Sequence, residues 1–462
     1  MHTSKQSGLS LIEAIIAIAL FAVLVSGLVG SLVYGQTSTS LAGTRNRAVF
    51  VAEEGLEAVR NISDDDFSNL SDGTYGLAVI ANEWNFSGSY DTTDAFTRAI
   101  TVSSVDTYTK DITSTVTWDQ TEERSGSISL VTRLTEWMRE VITLGDWSNP
   151  SEEATLDLSG NADGEKIQYK DDYAFVVRSG GSPDLYVIDV SDPANPVVKT
   201  SLDLDGTLYN LALAGDYAYI ASSENSSELI IIDISDPTSP SEVGSFNASG
   251  NADAYGVYAI GTTAYLVRKS SGDDELIVID ASNPASPSEL GTQDLGANAN
   301  EIFVMGDYAY IASDDNSEEL QVADISDLES IDIVGTYNAS GNSDANTITG
   351  FTDRILLGRA DGLLFLLDVS TPSSPSSLGS TDVGNATLDL AMGPDNDYVF
   401  VACDTNNQEF QVIDITNPPT LQTLSFLGAS NDLHGIVYDA DHDRAYAVGE
   451  DNSEEFVVYM PQ

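Results

Sequence analysis

Cysteine is nearly absent. Cys403 stands alone among 462 residues, so no intrachain disulfide framework and no cysteine-built zinc site exists. Histidine is almost as scarce: His2, His434 and His442 leave little material for imidazole chemistry. No Ser-His-Asp arrangement and no phosphate-cradling glycine motif occurs. Basic residues number 18 against 73 acidic ones, a formal net charge of −55. Phosphate contacts need Lys and Arg, so a partnership with nucleic acid is excluded.

What is present is apolar material in quantity. Hydrophobic residues make up 42% of the chain, enough to bury real cores and to rule out uniform disorder. The length allows about three average domains. The acidity is uneven. Up to Asp146 there are 19 acids and 9 bases, and from Trp147 onward 54 acids and 9 bases. The change at Asp146-Trp147-Ser148-Asn149-Pro150 marks a boundary. High acidity keeps a surface soluble and self-repelling.

The first segment is greasy. Residues 9–35 read LSLIEAIIAIALFAVLVSGLVGSLVYG, with Glu13 as the single charge. Ala14 to Val33 gives twenty uncharged residues, about 30 Å of helix and the thickness of a hydrocarbon core. A transmembrane helix is expected over 9–34. The amphipathic stretch NRAVFVAEEGLEAVR (46–60) then places Ala48, Val51, Ala52, Leu56 and Val59 at helical spacing. One helix over 9–62 is therefore expected, about 80 Å long. Strand-like runs follow at Tyr75–Ile80, Thr97–Ser103, Ile112–Trp118 and Ser127–Leu134. They make 63–146 a small antiparallel β-domain packed on the amphipathic half of the helix.

The run Ser7-Gly8-Leu9-Ser10-Leu11-Ile12-Glu13, ahead of an apolar helix, resembles the prepilin signal of type IV pilins and type II secretion pseudopilins. The resemblance implies a leader at 1–8, cleavage after Gly8 by a prepilin peptidase, methylation of the new N-terminal Leu9, and Glu13 as fifth mature residue. Leu9 departs from the commoner phenylalanine of that family. A carboxylate inside an apolar helix is costly unless it is paired. In a filament the free amine of a neighbouring subunit's Leu9 would pair with Glu13 and set the register of assembly. The implied partners are other pilin subunits through the N-terminal helix, the peptidase and the membrane. The implied location is the cytoplasmic membrane before assembly, then an extracellular pilus or the cell surface.

The remainder repeats. LYVIDVSDPANP (185–196) recurs as LIIIDISDPTSP (229–240) and LIVIDASNPASP (276–287), with weaker copies at 320–331, 364–375 and 410–421 and a truncated one from Phe456. Asp189, Asp233, Asp280, Asp324, Asp368, Asp414 and Tyr459 are equivalent, with a mean spacing of 45 residues. A period of that length with four strands per unit is propeller-like. The segment Glu152–Gly160 supplies the fourth strand that the last copy lacks. The repeats resemble the LVIVD-type propeller repeat of bacterial surface proteins. The expected fold class is thus an α+β pilin-like N-terminal domain followed by an all-β seven-bladed propeller over 147–462, closed by an N-terminal strand.

The repeated aspartates follow an apolar strand and precede a turn, so capping that turn is their expected role. Two sets of loops rich in Asp, Glu, Asn and Ser, such as 247–254 and 223–228, are expected to share one face. Asp439, Asp441 and Asp443 alternate, and Glu450 is twelfth in the count, which resembles an EF-hand calcium loop. Arg444 stands where that loop needs a glycine, and 444–448 reads as a strand, so a longer hairpin is the better reading. No other cofactor is expected. Taken together, these features lead us to expect a minor pilin-like or pseudopilin-like filament subunit, not an enzyme, that displays its repeats outside the cell for adhesion or for binding an extracellular ligand. The alternatives are a major filament subunit decorated with the same repeats and a surface-tethered hydrolase acting on a polysaccharide or lactone.

Overall fold

The computed structural model describes residues 11–65, 67–80, 83–106, 109–121, 124–135, 144–269, 272–404, 407–429, 432–450 and 453–462. Two compact units divide the chain, Met1–Val141 and Ile142–Gln462.

No proline occurs before Pro150, and one helix, Leu11–Asp65, runs unbroken for 55 residues. Among the described residues no helix is long and apolar enough to cross a membrane. The transmembrane helix expected at 9–34 is corrected on that ground. The apolar run is not a separate span. It continues as the same rod through the polar stretch from Gln36 to Asn46 and into an amphipathic turn sequence. There Ala48, Ala52, Ala58 and Val59 are buried. They pack on Phe96–Asp106 and Thr109–Thr121, the middle strands of a five-stranded antiparallel sheet. Gly55 lets the helix come close, because a Cβ there would lie 2.7 Å from Ser114 Oγ. Arg98, buried beneath the helix, pairs with Asp91 at 3.0 Å and Glu54 at 3.1 Å and donates to the Val51 carbonyl at 3.0 Å. The strand read at Tyr75–Ile80 is two strands. Gly73–Tyr75 joins the main sheet, and Leu77–Ile80 makes a separate hairpin with Glu83–Phe86. The break falls at Gly76, which the Tyr90 carbonyl crowds at 2.4 Å from a Cβ position.

The second unit holds seven four-stranded antiparallel sheets. The inner strands are Gly164–Lys170, Leu208–Ala214, Ala254–Ile260, Ala299–Met305, Ala345–Phe351, Thr387–Met392 and Leu433–Asp439. Each packs against the next, and the seventh packs against the first. Second and third strands are apolar and buried on both faces, as in Tyr217–Ser222 and Leu229–Asp233. Fourth strands are mostly exposed or half-buried, and Val197–Leu202 alternates between the two. The seventh sheet takes its fourth strand from Ser151–Leu156, paired with Phe456–Met460. Two-residue turns Gly215-Asp216 and Gly306-Asp307 join first to second strands, with φ of 57° and 62° at the glycines. That is the region a tight hairpin demands.

The expected closed seven-bladed propeller is corrected here. No sheet closes on itself. The hydrogen-bonded ladders stop at each fourth strand, and neighbouring sheets meet chiefly through apolar side chains, with a single-residue bridge Ser380–Thr420 between the fifth and sixth. One such apolar core, with Tyr219, Ile231, Leu266 and Ile277, joins the second and third sheets, and another, with Ile167, Val176, Tyr446 and Phe456, joins the seventh and first.

The repeated aspartates cap turns. Asp233 accepts from Ser235 N at 2.9 Å and Ser235 Oγ at 2.6 Å, and Asp189, Asp324 and Asp414 repeat the pattern. These bonds hold the Asp233 and Asp324 carboxyls below their ordinary range. The acidic loops are less exposed than their composition implied. Glu228, Glu275, Glu319, Glu409 and Glu455 are all buried. Each accepts a backbone N–H across its own sheet edge, as Glu319 does from Ala339 at 3.0 Å.

Candidate functional site

Every inner strand breaks register once near its start. In the second sheet Leu208 faces Ser222 and Asn210 faces Ala221, so Tyr209 is an extra, unpaired residue. The same bulge sets apart Glu165, Tyr255, Asn300, Asn346, Leu388 and His434. A bulge re-aims a side chain out of the strand's regular alternation. All seven of these residues line one cavity of about 280 Å³.

The next residue of each inner strand forms a second series, of which Lys166, Asn210 and Glu301 line the cavity. The series is Lys166, Asn210, Gly256, Glu301, Thr347, Asp389 and Gly435. Lys166 reaches across from the first sheet to bond Glu301 of the fourth and, at 2.7 Å, Asp389 of the sixth. Thr347 Oγ1 donates to Glu301 Oε2 at 2.5 Å, Asn210 Nδ2 donates to Oε1 at 3.2 Å, and Ile348 N donates to Oε2 at 2.9 Å. Asp389 accepts from Leu390 N and Ile436 N, each at 2.8 Å. The three charges are 8%, 8% and 3% exposed, so every partner counts. Burial disfavours the Lys166 ammonium, but Asp389 and Glu301 outweigh it and raise its pKa. Burial pushes Asp389 up to about 6, against the pull of Lys166.

The glycines of this series make room. A Cβ on Gly256 would lie 2.9 Å from Glu301 Cα, and one on Gly435 would lie 3.0 Å from Lys166 Cα. A second cavity of about 250 Å³ lies along the inner strands and shares Lys166, Asn210 and Glu301 with the first. The ion cluster thus sits between two hollows. A larger hollow, about 490 Å³, lies in the N-terminal unit beside Asn61, Trp84 and Phe86, with Asp64 as the charged residue among its described lining.

On the mouth side Tyr209 and Tyr255 stack, with ring centroids 4.2 Å apart and 15° between planes. Burial, then the hydrogen bond to Tyr255, pushes the Tyr209 hydroxyl up to about 12. Asn300 Nδ2 donates to the Ala345 carbonyl at 2.7 Å, and Asn346 Nδ2 to the Thr387 carbonyl at 3.1 Å. His434 lies between Glu165 at 3.5 Å and Glu450 at 3.4 Å. Burial lowers its pKa, but the hydrogen bond and charge of Glu165, with Glu450 and Asp163, raise it overall.

The residues named from sequence fall elsewhere. Gly8 and Leu9 lie outside the described residues. Glu13 lies in the helix Leu11–Asp65. Asp439, Asp441 and Asp443 share the turn before Arg444–Gly449, while Glu450 follows that strand at its far end. The Asp439 carboxylate accepts from Asp441 N, His442 N and Tyr446 Oη, and also meets His442 Nδ1. Asp443 accepts from Gly145 N, Trp147 Nε1 and Tyr438 Oη at 2.7–2.8 Å. Among the described residues no group of three or more His, Cys, Asp or Glu is placed to hold a metal ion. Sequence reasoning missed Lys166, Glu301 and Asp389. Their one signal is alignment, since each follows the bulged residue in its own repeat.

The comparisons accord with the two-part reading. The prokaryotic N-terminal methylation motif matches residues 3–29. No curated protein matches the chain. Among solved structures, the crystal structure of the computationally designed Ika8 protein is similar at 10% identity. It covers 67% of this chain and 100% of its own, with a TM-score of 0.49. The LVIVD repeat matches six times, at 159–203, 205–248, 254–294, 296–339, 358–383 and 395–425. Six matched repeats replace the seven expected. The seventh sheet, assembled from both ends of its unit, carries no matched repeat. A prepilin-like methylation motif, pointing to membrane-associated maturation, is therefore fused to a β-repeat region. With those six repeats spanning half of its residues, the chain belongs to the LVIVD repeat family.

Proposed function

We propose that the chain is a minor type IV pilin-like or pseudopilin-like filament subunit that presents its LVIVD-repeat unit at the cell surface to bind a ligand. The methylation motif at 3–29 carries this reading, since Gly8, Leu9 and Glu13 stand in it where the resemblance requires a cleavage point, a methylated terminus and an assembly charge. A prepilin peptidase would act while the precursor is associated with the cytoplasmic membrane. Other pilin-like subunits would then receive the helix. In this reading the repeat unit works by binding, not catalysis. Seven side chains of differing chemistry surround one cavity on a stiff β frame, the arrangement of a recognition site, and the charged groups beneath are saturated by protein partners.

A minor position follows from bulk, because a unit of this size on every subunit would crowd a shaft. Two measurements test the reading. Mass spectrometry of the exported protein is expected to find N-methylated Leu9 as first residue; an intact Met1–Gly8 leader overturns the pilin-like reading. Immunogold labelling of native filaments is expected to mark sparse or terminal positions. Uniform labelling along the shaft favours a major subunit instead.

A further inference from the structure

We propose that the cavity ringed by the bulged residues is a receptor site for a small organic ammonium ion, held against the Tyr209–Tyr255 pair and Glu165. The proposal deepens, and rests on, the reading of the repeat unit as a binding module.

Three observations select the ligand's chemistry. First, the asparagines offer more acceptor than donor capacity. Asn210, Asn300 and Asn346 each give one N–H to a protein oxygen. That leaves each amide one N–H against the two lone pairs of its Oδ1. Second, the charge is negative. Glu165, Glu301, Asp389 and Glu450 stand in or beside the cavity, against Lys166, Lys269 and His434. An anion meets repulsion there, and a cation meets attraction. Third, the aromatic pair already holds one ammonium. Lys269 Nζ lies 3.9 Å from the Tyr255 ring centroid and hydrogen-bonds its hydroxyl. The electron-rich face of a tyrosine attracts cations in this way. The acidity of the whole chain adds a long-range pull on any cation approaching the mouth. At about 280 Å³ the space suits a small ligand.

Titration calorimetry of the full chain provides the test, with choline and butylammonium as probes. The neutral carbon analogue of choline, 3,3-dimethylbutanol, serves as control. Saturable one-to-one binding of either cation is expected, with the neutral analogue at least about fivefold weaker. Glu165→Gln and Tyr209→Leu are each expected to weaken binding about fivefold or more, while Asp192→Asn, on an exposed turn, leaves it unchanged. Should Tyr209→Leu fail to fold by circular dichroism, the near-isosteric Glu165→Gln decides alone. The proposal is overturned by no saturable binding of either cation, by equal binding of the neutral analogue, or by binding that Glu165→Gln leaves intact. Diffuse attraction to a polyanion would produce the last result. Failure to bind with correctly labelled filaments removes this inference and leaves the display reading standing; binding with the leader still attached does the reverse.

Discussion

Lys166→Met removes the cation that Glu301 and Asp389 share. Both carboxylates are more than nine-tenths buried, and stranding buried charge costs about 3–5 kcal/mol. A unit of this size loses about 3 kcal/mol of stability per molar urea, so its midpoint is expected to fall by about 1 M at pH 7.5. The pH dependence follows from Asp389, whose folded pKa is already about 6, above the unfolded value of about 3.9. An acid raised on folding binds more protons in the folded state, so its destabilising effect fades as pH falls through the folded value. Without Lys166 the Asp389 carboxyl rises further, and the variant is expected to recover most of its deficit against the parent at pH 5. Urea titrations of both proteins at both pH values, followed by far-UV circular dichroism, measure this. A shift under about 0.3 M at pH 7.5, or the same shift at pH 5, refutes the view of a buried, charge-balanced cluster.

Gly256→Ala places a Cβ 2.8 Å from Val267 Cγ2 and 2.9 Å from Glu301 Cα, and overpacking of this kind costs about 1–3 kcal/mol; an unchanged urea midpoint removes the close-approach argument. Trp147→Ala loses packing on Phe400 and Phe410 and the indole N–H bond to Asp443, about 3–5 kcal/mol. Hydrogen exchange is expected to show the amides of Phe456–Met460 losing protection first. Asp233→Ala removes a turn cap whose carboxyl is held low by Ser235. A group lowered on folding stabilises above its unfolded pKa and loses that effect as pH falls through the folded one. The melting-temperature gap between parent and variant should therefore be widest near pH 6 and narrow below about pH 4.

The repeats were legible because an apolar strand, an aspartate and a proline turn return every 45 residues, and because the Asp233-type caps act within two residues of chain. Ala48, Ala52 and Val59 were legible by their spacing for the same local reason. Sheet closure was not, since repeat arithmetic does not report where hydrogen bonding stops. The continuous helix past Gln36 was legible too, but the transmembrane reading over 9–34 was not upheld, since among the described residues no helix is long and apolar enough to cross a membrane. The cavity was illegible for a different reason. At the bulged position the repeats carry Glu, Tyr, Tyr, Asn, Asn, Leu and His, so no pattern survives there, and the extra residue shifts the alternation that would have shown which side chains turn inward. Glu319 and its equivalents were hidden among exposed acids in the same loops, and only the backbone amide they bond distinguishes them, 20 residues away for four of the five and at the other end of the unit for Glu455.

The strand Ser151–Leu156 is the first ladder of the second unit that a pull from upstream would reach. Its ladder to Phe456–Met460 lies at a sheet's rim, a place where bonds can part in succession. Trp147, wedged among Phe400, Phe410 and Tyr438 and tied to Asp443, comes before that strand along the chain. A pull on the chain from upstream therefore meets the Gly145 and Asp146 backbone bonds and this aromatic anchor before it reaches the ladder, so the rim strand is shielded from direct load by the residues that precede it.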